Sequence, residues 1–244
     1  MLKADLHIHS SASYDSRTTP GEVVATCLRR GLGAFAIADH NALHGSLAAA
    51  ALVASPAFAR FMADHYPGRP PLLAVVAQEV NAVDGELLGM FLRSPLPRGL
   101  SLVETALAIR EQGGVVTIPH PFARVAHRRP KVRILEEHLD LIDAVEVFNA
   151  RNAVRLDDRF ALEFARRHGL GRTAGSDGHL RSEIGRGFVR LEPFDDAPSF
   201  LRALRAARPG GRKTFPLFPL ATWLRNLPAA VADLRLQREL TGRY

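Results

Sequence analysis

Cysteine is all but missing. Cys27 stands alone among 244 residues, so no intrachain disulfide can form. No cysteine lies near any motif discussed below, which excludes thiolate metal sites. Long apolar runs are lacking too: none reaches the roughly 18–20 residues that a membrane-spanning helix needs. The chain reaches Asp5 and His7 almost at once, without the apolar stretch of a secretory signal. No transmembrane segment is expected, and the expected localisation is cytoplasmic. Aromatics make up only 7%, and no stripe interleaves them with basic residues as a single-strand nucleic-acid track would. With 47% apolar and 23% charged residues, the composition excludes a disordered or fibrous chain.

What remains is an ordinary α/β composition, large enough for one barrel or two small domains. The net charge of +7, from 32 Lys+Arg against 25 Asp+Glu, predicts a positive potential that attracts anionic partners. Much of the excess lies between Arg202 and Arg243, where a charge run is more often a solvated face than a site. Cys27 lies in the apolar-periodic stretch 23–32 and reads as a small core residue.

Short apolar strands alternate with amphipathic helices. Strands are expected at residues 2–9, 34–38, 72–78, 115–118, 144–148, 172–175 and 187–191. Helices are expected at 20–30, 45–65, 102–112, 152–168 and 198–207. Thr19 and Pro20 suit the cap and first position of the first helix. Asp84-Gly85 marks the turn of a hairpin between 79–83 and 86–92. About seven such units predict a mainly parallel sheet in a distorted (β/α)7 barrel, with an open doubly wound sheet as the alternative. The barrel is expected over residues 1–208. Residues 209–244 then form a C-terminal extension, a basic helical tail. Its opening PGGRKTFPLFP breaks any helix, and 221–240 reads as a packed helix kinked at Pro228.

Metal-binding residue types collect where these strands end, the face at which α/β barrels build active sites. His7 and His9 end the first strand; Asp39 and His40 follow the second. Glu79 lies in the third, His120 follows the fourth, and Asp177 and His179 follow the sixth. Residues i and i+2 of a strand point to one side, so His7 and His9 can grip one cation. Alone, a His-x-His pair is more often two satisfied or exposed imidazoles. Four further strand ends reverse that balance. This donor set suits two or three divalent Mn, Zn or Fe ions, which generate a hydroxide nucleophile and stabilise charge developing at phosphorus. Arg124 and Arg128, soon after His120, are candidate phosphate clamps, with Arg17 as a further phosphate-binding candidate. His65, His138 and His168 read as structural or surface residues, and His44 and His127 stay open.

The segments DLHIHSSASYDS (5–16), ADHN (38–41), QEVNA (78–82), PHP (119–121) and GSDGH (175–179) resemble the polymerase-and-histidinol-phosphatase (PHP) family, in the family's order. The resemblance implies a distorted seven-stranded barrel with up to three metals. It assigns His7, His9, Glu79 and Asp177 to one ion, Glu79 and His120 to a second, and Asp15, His40 and His179 to a third. It gives Asp39 an orienting or proton-handling role; Asp39 and His179 are the candidates for protonating the leaving oxygen. Where many members carry another histidine for the second ion, this chain has Arg151 in VEVFNARN. A guanidinium ligates no metal but binds phosphate, so Arg151, like Arg124, counts as a catalytic and phosphate-binding candidate. Asn149 or Glu146 could then contribute to the site instead.

Similarity to small stand-alone members implies a metal-dependent phosphoesterase. Its expected substrate is a small phosphorylated molecule, a nucleotide monophosphate or 3′,5′-bisphosphate. A 5′-directed exonuclease on RNA or DNA and a histidinol-phosphate-type phosphatase are the alternatives, and a non-catalytic metal-binding module is the reading outside enzymes.

Overall fold

The computed structural model describes residues 1–123 and 132–214. The expected helix at 221–240, with the rest of 215–244, lies outside them, as do Arg124, His127 and Arg128.

Among the described residues nine strands form one sheet in the order β7-β6-β5-β4-β3-β2-β1-β8-β9. They are β1 (Leu2–Ile8), β2 (Ala34–Ile37), β3 (Leu73–Ala82), β4 (Gly85–Met90), β5 (Val115–Ile118), β6 (Ala144–Asn149), β7 (Gly171–Gly175), β8 (Gly187–Leu191) and β9 (Arg208–Gly211). The sheet curls until the segment after β7 meets the end of β1. The Asp177 N–H donates to the His7 carbonyl at 2.8 Å, and the His9 N–H donates to the Gly178 carbonyl at 3.0 Å. The barrel is thereby nearly closed at its mouth.

The pairing is mixed, not mainly parallel. Strands β1–β2–β3 and β5–β6–β7 are parallel sets. Between them β4 runs antiparallel to both neighbours, because it returns through the two-residue Val83-Asp84 turn. Strand β8 is antiparallel to β1, and β9 to β8. Thus β4 is the returning strand of the expected hairpin, and β9, which was not expected, carries the sheet to Gly211.

Among the described residues seven α-helices cover the sheet: α1 (Pro20–Arg29), α2 (His44–Val53), α3 (Pro56–His65), α4 (Leu102–Glu111), α5 (Val132–Glu137), α6 (Arg155–Arg167) and α7 (Ala197–Arg205). Helix α1 begins with a capping box, Thr19 and Glu22 exchanging hydrogen bonds. The single helix expected over 45–65 is two, because Ser55 caps Phe58 N–H and Pro56 opens a new first turn. Helix α6 starts three residues later than expected: the Asn152 side chain bonds Asp158 at 2.8 Å and holds residues 152–154 out of the helix.

Small and branched residues fill the body. Ala4, Leu6, Ala36, Ala77, Leu88, Ala144, Ala174 and Val189 pack in one buried cluster with Phe194, Phe200 and Leu204. A second cluster lies under α4 and α6, and a third joins α1 to α3 and takes in the buried Cys27. Among the described residues no single helix is long and apolar enough to cross a membrane.

Candidate metal centre

The strand ends bring the eight expected ligands together around Glu79. One oxygen of its carboxylate lies 3.1 Å from His40 Nδ1 and 3.5 Å from the Nε2 atoms of both His7 and His9. The other lies 3.3 Å from His120 Nε2. Asp177 Oδ1 is 3.3 Å from His9 Nε2. Asp15 Oδ2 is 2.6 Å from His179 Nε2 and 3.4 Å from His40 Nε2. Four overlapping groups have the compactness of cation sites: His9-Asp15-His40-His179, His7-His9-Glu79, His7-His120-Asp177 and Glu79-Glu86-His120.

The donor set fits divalent ions on two observations. His7 and His9 bring their Nε2 atoms within 3.1 Å of each other. Among the described residues, both Glu79 oxygens, His9 Nδ1, His40 Nδ1 and His120 Nδ1 are buried without a hydrogen-bond partner. Buried polar atoms are rarely left so, and a carboxylate among imidazoles is completed by a cation.

The electrostatics agree. Burial pushes the Glu79 carboxyl up, but His40 and His7 hold it well below the usual carboxylate range. His179 and His40 do the same for Asp15, and His7, His9 and Arg151 for Asp177, each against burial. Burial depresses the His7 imidazole, yet Glu146, Glu79 and Asp177 hold it well above its ordinary value. His40 is likewise raised, against burial, by Tyr14, Glu79 and Asp15. His120, also opposed by burial, is held at about 9 by Glu79 and Glu86. His9 is the exception: burial and neighbouring His179 take it down to about 3, leaving it neutral. Protonated imidazoles thus balance the carboxylates in the charge pattern that metal ions would take over.

A supporting layer fixes the ligands. Glu146 Oε1 lies 3.2 Å from His7 Nδ1, while its Oε2 accepts from His120 N–H at 2.9 Å and from the Asn149 amide at 2.9 Å. The same amide donates to Asp177 Oδ2 at 3.2 Å. Carboxylates in this position set the tautomer and orientation of a ligating histidine. Asp5, fully buried, accepts from the backbone N–H groups of Ser176 at 2.8 Å and Gly185 at 2.6 Å, tying β1 to the loop that carries Asp177. Gly175 is required here: a Cβ would come within 2.3 Å of His7 Cβ. His120 and Asp177 adopt φ of 25° and 51°, unusual for residues with a side chain and characteristic of functional positions.

Other expected residues are placed differently. Asp39 turns from the cluster toward Ser10, accepting from its N–H at 2.5 Å and its hydroxyl at 2.7 Å, and burial holds its carboxyl up at about 6. Arg151 donates to His179 Nδ1 and, at 3.4 Å, to the Asp177 carbonyl. Arg17 is exposed and lines a depression with Glu22, His179 and Arg181. Arg186 donates to the Ser182 and Lys213 carbonyls. His44 lines the cavity beside His40. His65 stacks on Phe61 of its own helix, and His168, just past the end of α6, packs tilted against Phe164. Sequence reasoning missed Glu86, near His120, and Tyr14, whose ring stacks on His40 with centroids 5.1 Å apart. The hairpin register was the available signal for Glu86; Tyr14 sits inside the DLHIHSSASYDS segment.

Comparison with known proteins agrees with this geometry. Residues 5–67 match the PHP domain family, and residues 156–209 match the PHP-associated family. Uncharacterized protein MJ1587 of Methanocaldococcus jannaschii is 32% identical over 171 residues, covering 66% of this chain and 90% of that one. Uncharacterized protein MJ0417 of the same organism is 29% identical over 214 residues, covering 84% and 79%. The fold is similar to a two-domain protein from Bacteroides vulgatus containing a predicted PHP-like metal-dependent phosphoesterase. The TM-score is 0.60 at 18% identity, over 86% of this chain and 65% of that one. This chain therefore spans just under two thirds of that protein's length. From the matched first strand to the shared barrel, the chain belongs to the PHP family.

Proposed function

We propose that this chain hydrolyses phosphate esters with the help of divalent metal ions, and that its substrate is a small nucleotide-like ester. The convergence of His7, His9, His40 and His120 on the buried carboxylate of Glu79 carries this reading. Ions bound there would supply a nucleophile near neutral pH and stabilise charge developing at phosphorus. The remaining work falls to the chain. Glu146 and Asn149 hold His7 and Asp177 in place. Arg151, at the edge of the cluster, offers a guanidinium suited to a phosphoryl oxygen. Arg17 lies on the His179 side, where it can meet a second anionic group. His179, beside Asp15 in the cluster, is the group proposed to handle the leaving oxygen's proton, while Asp39 holds the Ser10 loop.

A cavity of about 570 Å³ opens beside His40, lined by Ser13, Tyr14, Asn41, His44 and Arg98 among others. That volume suits a small ligand such as a nucleotide-sized ester. The test is phosphate release from nucleotide 5′-monophosphates, adenosine 3′,5′-bisphosphate, histidinol phosphate and a 5′-phosphorylated RNA, with Mn²⁺ and after metal stripping. Metal-dependent release from the nucleotides is expected. Release from the RNA or histidinol phosphate alone overturns the substrate assignment. Equal release without metal overturns the mechanism.

A further inference from the structure

The resemblance leaves the second ion with Glu79 and His120 and no third protein ligand. The structure shows why the region after β6 does not supply one. Arg151 is engaged with His179 and the Asp177 carbonyl. The Asn149 amide donates to Glu146 and Asp177, and its carbonyl oxygen accepts the Arg151 N–H at 2.8 Å.

The β3–β4 hairpin presents a different donor. In its antiparallel register Glu79 faces Leu88 and Asn81 faces Glu86. Glu79 and Glu86 are therefore diagonal neighbours on one face, within reach of each other. Both are buried, at 1% and 8% relative exposure. His120 stands between them, with Nε2 3.3 Å from Glu79 Oε1 and Nδ1 4.0 Å from Glu86 Oε2. The three donor atoms lie within 4.8 Å of one another. An independent observation points to a ligand: His120 is 9% exposed, and among the described residues its Nδ1 and both Glu79 oxygens are buried without a hydrogen-bond partner.

We propose that Glu86 is a metal ligand in this chain, completing with Glu79 and His120 a divalent-cation site where many members use a histidine from the segment corresponding to the one after β6. The proposal rests on the metal-dependent reading above, and the site it describes takes a hard or borderline ion such as Mn²⁺.

The test is metal content, read apart from turnover. Wild type, Glu86→Gln and Glu86→Asp would be stripped, titrated with Mn²⁺ alone, and analysed for stoichiometry and affinity by equilibrium dialysis and elemental analysis. Glu86→Gln is expected to bind one ion fewer, or one ion about 100-fold more weakly, at or beyond the upper end of what losing an orienting partner costs. The other sites keep their affinity. Glu86→Asp retains the charge on a shorter arm and is expected to weaken the same site by less; it answers the question if Glu86→Gln does not fold. A variant that keeps every ion at wild-type affinity, or loses all of them together, overturns the assignment of Glu86. Wild-type protein that binds no Mn²⁺ overturns the metal-dependent function with it, so the two failures are distinguishable.

Discussion

Along β1, Ala4 and Leu6 lie in the apolar body while His7 and His9 join the polar cluster at the mouth. The same change runs along β3, from Ala77 in the body to Glu79 at the cluster. In the body, small residues pack against Phe200 and Leu204 and leave little to chemistry. At the mouth, carboxylates and imidazoles are buried together, several of their atoms lack hydrogen-bond partners, and backbone angles at His120 and Asp177 are unusual. Apolar burial stabilises a fold, whereas crowding charges does not unless something joins them. The difference teaches that the body holds the barrel and the mouth is arranged for a ligand.

The largest expected effect separates the two directly. Glu79→Gln removes the charge at the centre of the cluster. It should cut phosphate release by more than about 100-fold, beyond the cost of losing an orienting group, with bound metal falling in parallel. Turnover near wild type would break the comparison. Phe200→Ala works on the other side. It should cost about 3–5 kcal/mol in denaturant unfolding, while the protein still folded keeps its metal content and turnover. If the folded fraction lost metal, body and mouth would not be separable.

The first strand and the order of the motifs were legible because period-two spacing and strand-end position are local features. His7, His9, Glu79, His120, Asp177 and His179 all stand out in this way. Less legible were residues whose role depends on pairing. Glu86 is brought to His120 only by the hairpin register, and the partner that Asp39 takes, Ser10, is set by the turn after β1. The mixed sheet was hidden for a similar reason: β8 and β9 carry no mark of the direction in which they pair. Ser55-Pro56 did carry the break between α2 and α3, but the apolar pattern runs through it.

Glu146→Gln sharpens the comparison at the boundary, since Glu146 supports ligands from a strand of the body. It should weaken metal affinity by about 10–100-fold while the protein stays folded; unchanged affinity would reduce Glu146 to packing. The smallest effect is a graded one. His7 and His40 are held well above their ordinary values and His120 at about 9, so in the metal-free protein they carry protons that an ion must displace. Raised histidine values mean that proton competition weakens as pH rises. Apparent Mn²⁺ affinity should therefore increase between pH 6 and pH 8, by about tenfold per pH unit for each proton displaced. His9, already neutral, should contribute nothing to that slope. Calorimetric titration in buffers of different ionisation enthalpy would count the protons, and a flat profile would contradict the charge pattern described here.

The most direct test of the metal centre is the ion content of the wild-type chain measured together with its turnover. Purified protein would be stripped with chelator, dialysed against Mn²⁺, and assayed at each stage. The account predicts two or three ions per chain, with phosphate release lost on stripping and restored as the ions return. Release that survives stripping, or a chain that takes up no ion at all, would contradict it.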